Sequence, residues 1–147
     1  MQREFETQAE DGSPLHGRGW VLHDATDRAV PEDDPLLEGL GILIFHVAGV
    51  SHRADALQEP SFNPGNVVSL VAEPENPYDE NAIAVWDAGR SRQAGYVPAS
   101  LTTRVRELLT PDARAYAWWD WTADRRRTGL KVILLPRSRR FRPYPSP

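Results

Sequence analysis

The sequence predicts a mainly β fold: a small antiparallel barrel or sandwich of about six strands with one or two short helices. Three observations carry that prediction. Short β-branched and aromatic runs recur between residues 41 and 136, each closed by turn residues. A single stretch, 98–109, has helical periodicity. Nothing alternates strand with helix as a doubly wound nucleotide-binding fold does, and no internal repeat is visible.

Residues 1–38 mix charge, Gly and Pro with few apolar side chains, and Pro31-Glu32-Asp33-Asp34-Pro35 reads as an acidic loop. We expect an acidic, partly disordered N-terminal arm, with Gly19-Trp20-Val21-Leu22 docked on the domain as an added strand. Ile42, Leu43, Ile44, Phe45 and Val47 then form a buried strand that ends at Gly49. Residues 51–65 are turn-rich. From Asn66 to Glu73 the side chains alternate with strand periodicity. Two prolines interrupt the pattern between Glu73 and Glu80; Ala82–Trp86 resumes it, and Gln93–Val97 returns after the Asp87-Ala88-Gly89 turn. Pro98 and Ser100 open the helix, whose Leu101, Val105, Leu108 and Leu109 share one face before Pro111 stops it. Strands at 114–122 and 129–135 follow, joined by a basic hairpin through Arg125, Arg126 and Arg127. Strict alternation along the first of them sets Tyr116 and Trp118 on one face and Trp119 and Trp121 on the other. A basic, Pro-rich, disordered tail is expected at 137–147.

Composition narrows the function. The 147 residues suit one domain. There is no Cys, which excludes disulfides, thiolate zinc sites and a Cys nucleophile. Apolar runs fall far short of the about 20 residues that span a bilayer, and the polar start, Met1–Asp11, does not read as a signal peptide; a soluble, cytoplasmic protein with no membrane partner is expected. The net charge of −4 hides a gradient, from 3 basic against 10 acidic residues in 1–38 to 11 against 4 in 104–147. Arg supplies 16 of the 17 basic residues, which suits bidentate phosphate contact. No phosphate-binding glycine loop or nucleophile elbow is present, and His16, His23, His46 and His52 lack metal-ligand spacing. The expectation is a non-enzymatic binding protein without cofactor or metal.

The most informative stretch is Glu73-Pro74-Glu75-Asn76-Pro77-Tyr78-Asp79-Glu80-Asn81-Ala82-Ile83. Asn76-Pro77 sets a turn, because a residue before proline avoids the helical region. Asn76 and Asp79 are free to satisfy loop amides, and Tyr78 is held beside a carboxylate on a stiffened loop. A ring face next to an acceptor suits a nucleobase and a hydroxyl held together, although the same residues would also knit a closed turn.

With Phe45-His46-Val47-Ala48-Gly49-Val50, Gly65-Asn66-Val67-Val68-Ser69-Leu70 and Gly95-Tyr96-Val97-Pro98 at their spacings, this stretch resembles the HIRAN domain family over about residues 41–136. The resemblance implies an OB-like barrel. It further implies a module that grips the 3′ end of single-stranded DNA, as in relatives fused to fork-remodelling ATPases. Carried over, Tyr78 meets the sugar or base of the last nucleotide, Asp79 accepts its 3′-hydroxyl, and Asn76 shapes the loop or touches the strand. Where those relatives place Arg and Tyr after Gly-Val, this chain has Ser51 and His52; Tyr96 stands in place of a His, and Ala99 near a Lys. His52 is then the stacking candidate, and Arg53, Arg90, Arg92, Arg125, Arg126 and Arg127 are the replacement phosphate contacts. A role in DNA repair or fork processing follows, with a helicase or nuclease as possible partner. The alternative is an adaptor that recruits such a partner without reading DNA ends.

Overall fold

The computed structural model describes residues 2–8, 14–24 and 26–136; the tail expected at 137–147 lies outside them. One antiparallel sheet contains eight strands: β1 Gln2–Gln8, β2 Pro14–Trp20, β3 Leu43–His46, β4 Val67–Ala72, β5 Ile83–Asp87, β6 Gln93–Tyr96, β7 Arg114–Ala123 and β8 Arg126–Leu135. Two short α-helices, α1 Pro35–Gly39 and α2 Thr102–Leu108, complete it, with 3-10 turns between β3 and β4 and before α2. None of these helices is long and apolar enough to cross a membrane.

The six strands expected between 41 and 136 are β3–β8, and they curl into an OB-like barrel. β8 lies between β3 and β7, β7 pairs with β4, and β4, β5 and β6 follow as neighbours. The ring is closed just beyond β3. There Ala48 N–H donates to the Tyr96 carbonyl at 2.7 Å, and Tyr96 N–H donates back to Ala48 at 2.9 Å. Gly95 permits this approach, since a Cβ at that position would run into the Ala48 carbonyl. Alternation sends Phe45, Val47, Val68, Ile83, Val85, Ala115, Ala117, Val132 and Leu134 inside. Leu57 and Phe62 from the 3-10 turns and Val105 from α2 plug the barrel.

The structure corrects three expectations. The added strand is β2, Pro14–Trp20, which pairs with β7 at residues 119–122, so it begins earlier than residues 19–22. The tip of the last hairpin is Asp124-Arg125, both at positive φ, as a two-residue hairpin turn requires. Arg126 and Arg127 therefore belong to β8. Third, a β-bulge between Ala117 and Trp119 adds a residue to β7 and shifts its phase. Tyr116, Trp118 and Trp119 consequently share one outer cluster with Trp20, Ile133 and Leu135, which β2 and the Leu22 segment cover.

Candidate functional site

The loop between β4 and β5 is a hydrogen-bonded corner. Glu73 N–H donates to the Ala82 carbonyl at 2.9 Å and closes the loop's base, while Ala82 N–H donates to Asp79 at 3.1 Å. Pro77 offers no amide, so Asn76 Oδ1 collects the next two: Tyr78 N–H at 2.9 Å and Asp79 N–H at 3.1 Å. Asn76 Nδ2 donates to Glu73 Oε1 at 3.0 Å, and the Tyr96 hydroxyl on β6 donates to the same oxygen at 3.0 Å. Asp79 Oδ1 accepts from Asn81 N–H at 2.8 Å. The Asn81 side chain is held in turn by Arg106 of α2, whose Nη1 donates to Oδ1 at 2.9 Å.

This bonding turns Tyr78 outward. Its side chain is 96% exposed, the most exposed large aromatic residue among those described. Asn76, Tyr78 and Tyr96 form the wall between two cavities. One, of about 620 Å³, is lined by Glu73, Glu75 and Pro77 as well. The other, of about 390 Å³, adds Ala48, Asp79 and Val97. No basic side chain lines either. The corner thus offers ring faces and carboxylate acceptors: Glu73 and Asp79 each spend one oxygen on the loop, and their second oxygens have no hydrogen-bond partner among the described residues.

Of the residues singled out from the sequence, Asn76, Tyr78, Asp79 and Tyr96 come together here. His52 and Arg53 lie on the exposed 3-10 turn Val50–Arg53, which packs against β6, and neither lines either cavity. The three hairpin arginines line neither cavity. Arg125 is exposed at the turn, and Arg126 pairs with Asp55 at 3.3 Å. Arg127 is 7% exposed: its Nε meets Asp120 at 2.8 Å, and its Nη atoms donate to the Leu57 and Glu59 carbonyls and to Asn63. Asp120 also receives Arg18 of β2. Arg127 therefore belongs to the barrel's internal bonding and has no free N–H edge to give a phosphate. Glu73 and Arg106 were not singled out from the sequence. Glu73 carried a signal, since it opens the motif loop; Arg106 carried none, because only the packing of α2 brings it to Asn81.

A second aromatic surface lies on the outer face. His46 of β3 stacks on Trp121 of β7, with centroids 5.2 Å apart and planes 6° from parallel. Lys131 Nζ stands 5.4 Å from the Trp121 ring and pairs with Glu32. Gly129 leaves room for the indole, since a Cβ there would sit 2.9 Å from Trp121 Cε3. Partial burial, helped by the Lys131 charge and opposed by Glu32, holds the His46 pKa below its ordinary value.

A family model described as the HIRAN domain matches residues 40–134. Among solved structures, the chain is similar to the crystal structure of the HIRAN domain of human HLTF. Identity is 22%, the match covers 65% of this chain and 75% of that one, and the TM-score is 0.43. No curated protein sequence matches it. HIRAN domains are known as DNA-binding modules in helicase-like proteins, and they bind rather than catalyse.

Proposed function

The chain belongs to the HIRAN domain family, and on that premise we propose that it is a non-enzymatic module that binds the 3′ end of single-stranded DNA, in DNA repair or replication-fork processing. The observation that carries this reading is Tyr78, held almost fully exposed beside Asp79 at the mouth of two cavities by the Asn76 side chain. The Tyr78 ring takes the last base or sugar. Asp79, with Oδ1 committed to Asn81, accepts the 3′-hydroxyl on its other oxygen. Stacking on such a ring contributes roughly 1–3 kcal/mol.

The carboxylates explain why a free hydroxyl would be chosen. A 3′-phosphate would bring about two negative charges next to Asp79, Glu73 and Glu75. Each pair at ~4 Å is repelled by between ~1 kcal/mol in water and ~4 kcal/mol near a protein surface. The strand's backbone must then leave the corner toward cations outside it, and Arg106, bonded to the Asn81 side chain, is the candidate the structure places beside the loop. With so few phosphates neutralised, the slope of log K against log salt should be no steeper than about −1.5.

Fluorescence anisotropy with oligonucleotides that differ only at the 3′ end tests the proposal. The free-hydroxyl strand should bind at least about tenfold tighter, a difference of about 1.4 kcal/mol. Equal affinities would remove Asp79 from the role given to it.

A second reading keeps the site and changes the ligand. Because carboxylates and no cation line the cavities, a basic segment of a helicase or nuclease partner fits them as well, and the chain would then act as an adaptor. An Arg-rich peptide that binds where the oligonucleotide does not would favour this reading.

A further inference from the structure

We infer that Glu73 determines which base is accepted at the strand's end. It favours a terminal base that carries an exocyclic amine, such as cytosine, over thymine. The inference rests on the 3′-end reading and goes beyond it, because Asp79 and Tyr78 select a hydroxyl and a ring without regard to the base.

The argument begins with how Glu73 is bonded. Its Oε1 accepts from Asn76 Nδ2 and from the Tyr96 hydroxyl, both at 3.0 Å, so the carboxylate plane is fixed by two donors on different elements. Neither donor is a cation. No cation is paired with the carboxylate among the described residues, and Oε2 has no hydrogen-bond partner among them. Glu73 lines the larger cavity together with Tyr78 and Tyr96, so a base stacked on the side of the Tyr78 ring that borders this cavity brings its edge toward Glu73. What the wall presents to that edge is an acceptor with no proton to give.

Cytosine offers an N4 amine, a donor; thymine offers O4, an acceptor. An amine meeting a fixed carboxylate forms a charge-assisted bond, whereas a carbonyl oxygen in the same place faces a charge of its own sign and must keep a water between. The two pyrimidines share one ring, and thymine adds a C5 methyl group and an N3–H. The preference therefore arises where ring position 4 faces Glu73, and a terminal dU, which lacks the methyl, should be disfavoured as dT is.

The substitution Glu73→Gln separates this role from loop support. Glutamine keeps a carbonyl Oε1 with two lone pairs, enough for both Asn76 and Tyr96. It replaces the free Oε2 by an NH2 group that donates. The loop is retained and the wall changes from acceptor to donor.

The experiment measures the affinity of the full chain for oligonucleotides identical except for a terminal dC or dT with a free 3′-hydroxyl, and for the matching 3′-phosphates. The wild-type chain should hold the dC end about fivefold to tenfold tighter, and Glu73→Gln should remove or reverse that preference while weakening, but not abolishing, the rejection of the 3′-phosphates, because Asp79 keeps its charge. Equal binding of dC and dT by the wild type, with 3′-phosphate rejection intact, overturns the inference and leaves the 3′-end reading standing. So does a Glu73→Gln variant that still prefers dC. Failure of the wild type to bind any of the strands overturns the 3′-end reading, and this inference with it.

Discussion

Asp120 and Glu73 are both carboxylates on the barrel wall, and each is fixed by donors from other parts of the chain. Asp120 is fully buried, and its partners are two guanidiniums, Arg127 and Arg18, that also reach Asn63. Glu73 is half-buried; its partners are a neutral amide and a neutral hydroxyl, and it borders open space. At Asp120 the charge is matched and the donors are used up, so the cluster fastens β2, β7, β8 and the turn before β4 to one another. At Glu73 the geometry is fixed and the charge left unmatched. The same functional group serves the fold in one place and borders open space in the other, and the partner's charge makes the difference.

Breaking the first region should produce the largest effect. Asp120→Ala removes the counter-charge from a guanidinium that is 7% exposed. Losing one partner of a buried pair costs about 3–5 kcal/mol, because the remaining charge stays desolvated. Denaturant unfolding should show the midpoint falling accordingly; Arg18 also loses its carboxylate, but being partly exposed it adds little to the cost. A cost below about 1 kcal/mol would mean that water reaches Arg127 and that the contrast with the corner is overstated.

Breaking the corner should do the opposite. Tyr78→Ala deletes a ring that covers almost nothing of the protein, so stability should change by less than about 0.5 kcal/mol while DNA affinity falls by about 1–3 kcal/mol. Parallel melting and anisotropy measurements on the one variant check both halves. A melting point that drops with the affinity would show that Tyr78 packs against the loop and does not simply stand out from it.

The corner was legible in the sequence because its bonds are local. Asn76 reaches Tyr78 and Asp79, two and three residues on, and the proline that frees it is the next residue. The order of strands β3–β8 was legible for the same kind of reason, since alternation and turn residues are local signals. The hairpin was not. Its turn is Asp124-Arg125, with no Gly or Asn to mark positive φ, so the arginine run drew the tip toward residue 127. Once the turn is placed, Arg127 falls within β8, and its partners at 57, 59, 63 and 120 come only with the tertiary fold. The bulge at Trp118 left no mark either, and it brought Trp119 to the face that Tyr116 and Trp118 already shared. Arg106 was invisible until α2 packed beside Asn81.

The outer-face stack of His46 on Trp121 stands between these extremes, and it yields the smallest effect. Burial, together with Lys131, lowers the His46 pKa in the folded chain, whereas in the unfolded chain it returns to about 6.5. The unfolded state therefore takes up the proton first as the solution is acidified. Stability should hold above about pH 6.5 and decline gently below it, until the folded-state imidazole is protonated as well. Glu32, which pairs with Lys131, opposes the shift, so the decline should be shallow. Denaturant midpoints at pH 8 and pH 5.5 measure it, and His46→Gln should flatten the difference by removing the titrating group. If that variant declines as steeply as the wild type, the acid sensitivity between these pH values does not come from His46, and it does not come from Asp87 either, which acts only at lower pH. Burial raises its pKa, but hydrogen bonds from Ser91, Arg92 and Ser61 outweigh burial and hold it low. Its contribution would then persist until the pH falls below the ordinary carboxylate range.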